Sequence, residues 1–385
     1  LLFTGMTDRY RAGEYLSFHS LREALNDAEV SHLMPEILRL KGIQLQKHIL
    51  TRISLDRWQE ILQEIESRYL FNRINYQLVV VAVDSLFGID LAGLTEQVYE
   101  SESLPVFEVA GISQWKVSSS ENQWIVSCKV RNTGRYDGVI TILSQDVQYN
   151  ANGENLLGHF LIKAGEHKEI RIPVNSPKSE IQVNTAPSDN IPMNFVATFR
   201  SKLKETSATR VGCFDIDSTV FLPDPLAIIV DNEDAGFHIE EPDLGGKLRL
   251  QSSRGKDYRN VEDILLSPPR WIASVNVKAY GKRIRSFQVK SVKEGTSRVE
   301  WHAILPRAGK YALYVYNVGL GERLQGQFPV VSYHYTLLQE KSDSDITLST
   351  FINGEVQILT EDHTGRSEEI KLPRGQNEGW IPLGY

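Results

Sequence analysis

The apolar positions divide the chain into two regimes. From residue 20 to 104 they recur at intervals of three and four, the period of an amphipathic helix. After Pro105 they alternate, the period of a strand. Ser20 followed by Glu23 forms a capping box and opens the first predicted helix. Ser31 is placed as the cap of a second helix, whose apolar set is Met34, Ile37, Leu38 and Leu40 to Ile43, with Gly42 marking its end. Ser54 and Arg57-Trp58 open a third, with Trp58, Ile61, Leu62, Ile65 and Tyr69 along one face. A fourth runs from Asn75 to Phe87 and ends at Gly88. Asp90 caps a short last helix through Val98-Tyr99, and Leu104-Pro105 breaks the pattern.

Past Pro105, Phe107-Val109, Gln114-Val117, Trp124-Val130, Gly138-Leu143, Ile170-Pro173 and Phe195-Phe199 read as strands, with turns at Asn132-Thr133-Gly134 and Asn152-Gly153. Trp124, Val126, Cys128 and Val130 share one face, and Ile125, Ser127 and Lys129 the other. That is the pattern of a strand with one buried side. Several short strands over about a hundred residues predict an immunoglobulin-like β-sandwich. Pro223-Asp224-Pro225 is the next punctuation. Beyond it Ala227-Val230, Arg285-Lys290, Arg298-Ala303, Lys310-Tyr316, Ser332-Leu337 and Glu355-Leu359 read as strands, with Gly295, Pro306 to Gly309 and Gly319 to Gly321 between them. The expected fold class is multidomain α+β: a helical segment over 1–104, an immunoglobulin-like sandwich over 105–222 and a jelly-roll-like antiparallel β domain over 223–385.

Composition narrows the function. A chain of 385 residues is too long for one ordinary core, and 41% hydrophobic with 24% charged residues is a folded composition. A net charge of -7 lacks the basic surface that phosphate neutralisation requires, so nucleic acid is not an expected partner. The longest pure apolar run, Leu78-Val83, falls far short of the roughly 20 residues of a membrane span, so no membrane insertion by this chain is expected. The chain begins on Leu1 without a basic region before an apolar core, and ends at Trp380-Tyr385 inside an apparent strand. It therefore reads as a piece of a longer protein. Cys128 and Cys213 both fall in apparent strands; they would be buried free thiols or a pair, and two cysteines do not decide the redox compartment.

Catalytic signatures are missing. The nearest approach to a zinc helix, His167-Lys168-Glu169-Ile170, lacks the second histidine, and the chain has no nucleophile elbow, phosphate loop or dinucleotide fingerprint. Asp231-Asn232-Glu233-Asp234-Ala235-Gly236 is the most charged short loop. Asp231, Glu233 and Asp234 would offer oxygen ligands to a structural calcium ion; the plainer alternative is a turn whose side chains bond local backbone. The C-terminal third is rich in rings, among them Trp271, Tyr280, Trp301, Tyr311, Tyr314, Tyr316 and Trp380. Aromatic faces stack on sugars, although most rings in a β domain are core. In Lys310-Tyr316, Tyr311, Leu313 and Val315 share the face expected to be buried, and Tyr314 and Tyr316 the face expected to be open. Pro268-Pro269-Arg270-Trp271, with Lys282, Arg283 and Arg285 close behind, places a loop tryptophan beside basic residues. It would read an acidic glycan or simply plug the end of the fold. The candidate ligand-binding residues are Trp271, Tyr280, Arg283, Tyr314 and Tyr316.

Two resemblances follow. The strings Ile229 to Phe237, Val299-Glu300-Trp301, Leu305 to Tyr316 and Gly379 to Gly384 resemble, in order and spacing, the golvesin C-terminal-like domain, also called the xanthan-lyase carbohydrate-binding-like domain. The likeness covers about residues 226–385 and implies its β fold and a glycan ligand. That family's pattern continues with further strands that are absent here. Phe87-Gly88-Ile89-Asp90-Leu91, Val98-Tyr99 and Leu104 to Val109 are similar to the tail of an aminopeptidase-N-like, or gluzincin, metallopeptidase domain, where helices after the zinc site lead into a β-sandwich. Neither the zinc motif nor its third glutamate ligand maps onto this chain. This likeness implies an upstream catalytic part in the parent and a bacterial, exported setting, periplasmic or extracellular.

The sequence thus favours a non-catalytic module that recognises a polysaccharide or cell-envelope glycan. The alternative is a structural scaffold that orients an upstream zinc metallopeptidase or transporter-linked domain of the same polypeptide. An independent hydrolase or lyase lacks the converging titratable groups that catalysis needs.

Overall fold

The computed structural model of the chain describes residues 4–70, 73, 75–118, 123–146, 155–199, 204–207, 210–240, 258–260, 271–289, 298–304, 306, 311–318, 333–339, 345–352, 357–360, 367–369 and 379–384. It is a multidomain α+β protein in which contacts divide the chain into two units, Leu1–Leu222 and Pro223–Tyr385.

Among the described residues the first unit opens with six α-helices: α1 (Thr4–Leu16), α2 (Leu21–Asn26), α3 (Met34–Leu50), α4 (Leu55–Arg68), α5 (Tyr76–Phe87) and α6 (Leu91–Glu100), with a 3-10 helix at Ala28–Leu33. Most termini follow the sequence signals. Ser20 and Glu23 close a reciprocal capping box on α2, and Ser54, Asn75 and Asp90 cap α4, α5 and α6. Gly88 ends α5 in the left-handed region. Two expectations are corrected. Ser31 lies inside the 3-10 helix, whose cap is Asp27. Gly42 does not end a helix, because α3 runs through it to Leu50. The buried positions past it are Gln44, Lys47, His48 and Ile49. Three of these four are polar, so the apolar period fades where the helix continues.

Nine strands follow: β1 (Phe107–Val117), β2 (Trp124–Asn132), β3 (Gly138–Asp146), β4 (Asn155–Ile162), β5 (His167–Val174), β6 (Lys178–Asn184), β7 (Asn194–Thr198), β8 (Lys204–Thr206) and β9 (Gly212–Asp215). They form a five-stranded sheet, β8-β1-β2-β5-β9, and a four-stranded sheet, β4-β3-β6-β7. The two sheets share one core: Phe107, Val126, Cys128, Val130 and Ile170 from the first meet Ile140, Ile142, Ile162, Ile181 and Val183 from the second. The two strands expected at 107–109 and 114–117 are one. A bulge between Ala110 and Ser113, with Gly111 at φ 58°, bends β1 without ending its ladder to β2. In β2 both faces are buried, since Ile125 and Ser127 are as inaccessible as Val126 and Cys128. β2 lies at the centre of its sheet, and Ser127 Oγ donates to Glu169 Oε1 at 3.0 Å.

Two side-chain amides imitate peptide groups and tie β1 down. Gln114 Nε2 donates to the Lys178 carbonyl at 2.6 Å and its Oε1 accepts the Lys178 N–H at 2.9 Å, joining β1 to β6 of the other sheet. Asn190, between β6 and β7, does the same at Phe107: its Oδ1 accepts the N–H at 2.9 Å and its Nδ2 donates to the carbonyl at 2.8 Å. Cys128 and Cys213 both lie in register with Ile170, so β5 runs between them. Two strand spacings of roughly 4.8 Å exceed the reach of a disulfide, and both thiols are free.

The helices are not a separate layer. Ala12, Leu16, Ile37 and Leu40 pack with Leu104, Ala186 and Met193, residues beyond the last helix. A second cluster joins Ile49 of α3 to Ile61, Ile65, Val83 and Leu94 of α4, α5 and α6. Lys41 Nζ is buried against the end of α6, donating to the carbonyls of Val98 and Ser101 at 3.0 Å each and to Ser101 Oγ at 2.7 Å. Lys47 Nζ reaches Asn184 at the end of β6, donating to its Oδ1 at 3.1 Å.

The second unit holds a six-stranded sheet, a three-stranded sheet and a two-stranded ladder. The six-stranded sheet contains β10 (Phe237–Glu240), β14 (Arg298–Ile304), β16 (Tyr333–Gln339), β17 (Asp345–Ile352), β18 (Gln357–Thr360) and β19 (Ser367–Glu369), ordered β10-β14-β17-β16-β18-β19. The three-stranded sheet is β11 (Arg259–Asn260), β12 (Ile272–Val275) and β13 (Ser286–Val289); the ladder is β15 (Leu313–Asn317) with β20 (Gly379–Gly384). Ala227-Val230 is not a strand. Leu226 and Ala227 close a turn on Asp224, and Ile228 is exposed. The predicted turns at Asn152-Gly153, Gly295 and Gly319 to Gly321 lie outside the described residues.

Candidate functional site

The candidate residues of the second unit fall on four pieces of chain: the loop before β10, the residue before β12, the connection from β12 to β13, and the β15–β20 ladder. In that ladder Tyr316 is directly opposite Trp380, and Tyr314 opposite Pro382. Residues two apart on a strand share a face, so Tyr314, Tyr316 and Trp380 lie on one side. The β12–β13 connection brings Tyr280 to the same place. Gly281 follows it at φ 128°, where a side chain would run into the Ile284 carbonyl, and so permits the tight return into β13.

Three rings meet there. Centroids lie 5.1 Å apart for Tyr280 and Trp380, 5.3 Å for Tyr316 and Trp380, and 5.5 Å for Tyr280 and Tyr316, with interplanar angles of 68°, 78° and 55°. The two contacts of Trp380 are edge-to-face and the tyrosine pair is tilted, all with centroids in the favourable range for aromatic pairs. Tyr316 is anchored by its hydroxyl, which donates to the Lys278 carbonyl at 2.8 Å. Trp380 is 47% exposed and Tyr314 51%, whereas Tyr280 and Tyr316 are half-buried. Behind them Arg285 is buried and donates to the Val277 carbonyl at 3.1 Å. Burial pushes its guanidinium down, and the neighbouring Tyr316 opposes that.

The acidic loop lies beside this cluster. Burial raises the Tyr280 phenol, and the carboxylates of Asp231 and Asp234 raise it further. Within the loop Asp234 Oδ2 accepts the Asp231 N–H at 2.7 Å, and Asp231 Oδ1 accepts the Asn232 N–H at 2.8 Å. Glu233 serves donors from other elements as well. Its Oε2 accepts from Tyr258 at 3.0 Å and its Oε1 from Ser286 and Asn232. The three candidate calcium ligands thus serve as acceptors for local donors. Among the described residues no group of three or more acidic, histidine or cysteine side chains converges as a metal site.

Of the five candidate ligand-binding residues, Tyr280 and Tyr316 meet in the ring cluster, and Tyr314 shares its strand face. Trp271 stands just before β12, half-buried, and Arg283 is exposed in the β12–β13 connection. Pro268 to Arg270 lie outside the described residues. Trp380 completes the cluster and was not among the candidates. Its signal was a tryptophan after a glycine in the last strand, but nothing local to that string says which strand it will face.

No family model matches the chain, and no curated protein does. Among solved structures it is similar to the β-glucosidase of Listeria innocua in complex with glucose, at 19% identity over 22% of this chain and 15% of that chain, with a TM-score of 0.18. It is also similar to β-glucosidase from Kluyveromyces marxianus, at 18% identity over 26% and 14% of the two chains, TM-score 0.19. A third is β-glucosidase 3B from Thermotoga neapolitana with α-D-glucose, at 16% identity over 25% and 16%, TM-score 0.18. The chain spans about 15% of the length of these enzymes, and scores this low carry no argument about fold or activity.

Proposed function

We propose that the chain is a non-catalytic binding module of an exported bacterial protein, and that its second unit recognises a polysaccharide or cell-envelope glycan. The observation that carries this is the ring cluster of Tyr280, Tyr316 and Trp380, with exposed Tyr314 on the same strand face and with Asp231 and Asp234 near enough for their charge to raise the Tyr280 phenol. A pyranose has an apolar face of C–H groups and an equator of hydroxyls. An exposed indole suits the first, and carboxylates and phenols suit the second. In this reading residues 223–385 form a jelly-roll-like domain of the golvesin C-terminal-like kind. Residues 105–222 form an immunoglobulin-like sandwich that spaces it from a gluzincin-like tail over 1–104.

On a glycan array the intact chain should retain at least one envelope or matrix polysaccharide, and Trp380→Ala and Tyr316→Ala should each weaken retention about tenfold or more, the cost of losing a stacked ring. Binding unchanged in both variants, or no glycan retained by the intact chain, would remove this reading.

A second reading, a scaffold for an upstream domain, is favoured by one feature. Leu55 and Leu62, seven residues apart on one face of α4, are exposed, as are Tyr76 and Val81 on α5. An intact chain that retains no glycan yet binds its own upstream region through Leu55 and Leu62 would establish that role instead.

A further inference from the structure

The angles within the ring cluster bear on how much of a glycan it holds. A sugar stacks by laying its apolar face parallel to a ring, so neighbouring sugars of one chain stack together most readily on rings close to coplanar. Here no two of the three rings approach parallel; the smallest angle is 55° and the others are 68° and 78°. One flat ligand can therefore stack on only one of them at a time. Trp380 is the most open of the three, while Tyr316 is fixed through its hydroxyl to Lys278. Along β20 the next position on the same face is Pro382, in register with Tyr314, so this strand does not continue as a row of rings. One stacking surface, with neither of the other two rings parallel to it, is the arrangement for a single residue, not for a run.

We infer that the site takes one pyranose residue, the end unit of a glycan chain or a short side branch, stacked on Trp380 and flanked by Tyr280 and Tyr316. Tyr314 forms the rim of that one position and is not a second platform. The inference rests on the glycan-binding reading above. It adds that the recognised unit is a chain end, so a long polysaccharide offers sites in proportion to its ends and branches and not to its length.

The test uses the intact chain and an array printed with gluco-, galacto-, manno- and N-acetylated pyranose oligomers, each at one, two, four and six residues, followed by calorimetry on the retained series. The dissociation constant should stay within about threefold from one residue to six. Extending the oligomer at the end that enters the site should abolish binding. Trp380→Ala should remove binding at every length, and Trp380→Phe, which keeps a ring and guards against a folding defect, should retain part of it. Tyr314→Ala should weaken all lengths equally. An affinity that climbs about tenfold or more with length, or a Tyr314→Ala loss confined to the longer oligomers, overturns the single-residue site and leaves glycan binding standing. Retention of no sugar at any length overturns the underlying function itself.

Discussion

Thermal unfolding of the chain will move to higher temperature as the pH rises from 7 to 9, and Lys47 is the main reason. Its ammonium lies between α3 and the end of β6, almost wholly buried, with Arg9 and His159 as charged or titratable neighbours. Burial, and then the like charge of Arg9, pushes it down from 10.5 to about 7. Above pH 7 the folded state sheds this proton while the unfolded chain keeps it until about 10.5. The unfolded state then binds more protons, and stability rises with pH. At ~1.4 kcal/mol per pH unit the gain between pH 7 and 9 is on the order of 2 kcal/mol, or roughly 4–8 °C in Tm for a unit of this size. His48 and His159 are also depressed by burial and act in the same direction at lower pH. The trend reverses at higher pH, because burial holds the Cys128 thiol up at about 12 against 9.0 unfolded, and the folded state then retains the proton. Lys41, which burial pushes down to about 8, adds to the rise above pH 8, so Lys47→Met should remove the larger part of the rise between pH 7 and 9 without lowering Tm at pH 7, since an apolar side chain of similar length fits a buried site at least as well as a charge. A variant with the same slope as the parent would show that another group carries the effect.

Asn190→Ala should be the most damaging single polar substitution in the first unit. The side chain is inaccessible and satisfies both the N–H and the carbonyl of Phe107, the residue that starts β1 and is itself fully buried. Alanine would leave both peptide groups buried without this partner. At about 1–3 kcal/mol for each unsatisfied group, the cost comes to about 2–6 kcal/mol, read as a fall in the urea midpoint at constant slope. A loss below about 0.5 kcal/mol would mean that water or a rearranged loop replaces the amide without penalty.

Legibility in the sequence followed the chemistry of each signal. Helix starts were readable because a capping side chain acts within three residues: Ser20, Ser54, Asn75 and Asp90 all cap where the sequence places them. The run of α3 past Gly42 was not readable, because its buried face carries Lys41, Gln44 and Lys47, whose partners lie as far away as Asn184. The strand cores at Trp124 and Gly138 followed alternation. The bulge that makes β1 continuous depends on its pairing with β2, and a single strand does not record its partner. At the candidate site, residue type pointed to Tyr280 and Tyr316. Their meeting with Trp380 depends on the β15–β20 register, across more than sixty residues of chain. Asp231 and Glu233 looked alike in sequence. Only the placement of Tyr258 and Ser286 gives Glu233 donors on other elements, while Asp231 Oδ1 accepts the N–H of the next residue.

The unbroken course of α3 has a dynamic consequence. Its first half supplies Ile37 and Leu40 to the cluster shared with Leu104, Ala186 and Met193, and its last turn supplies Ile49 to the cluster of α4, α5 and α6. Opening either cluster exposes the same stretch of backbone, so neither can fray alone at low cost. The helices should therefore behave as one cooperative foldon, their core amides exchanging hydrogen with solvent only in openings that also release the paired sheets.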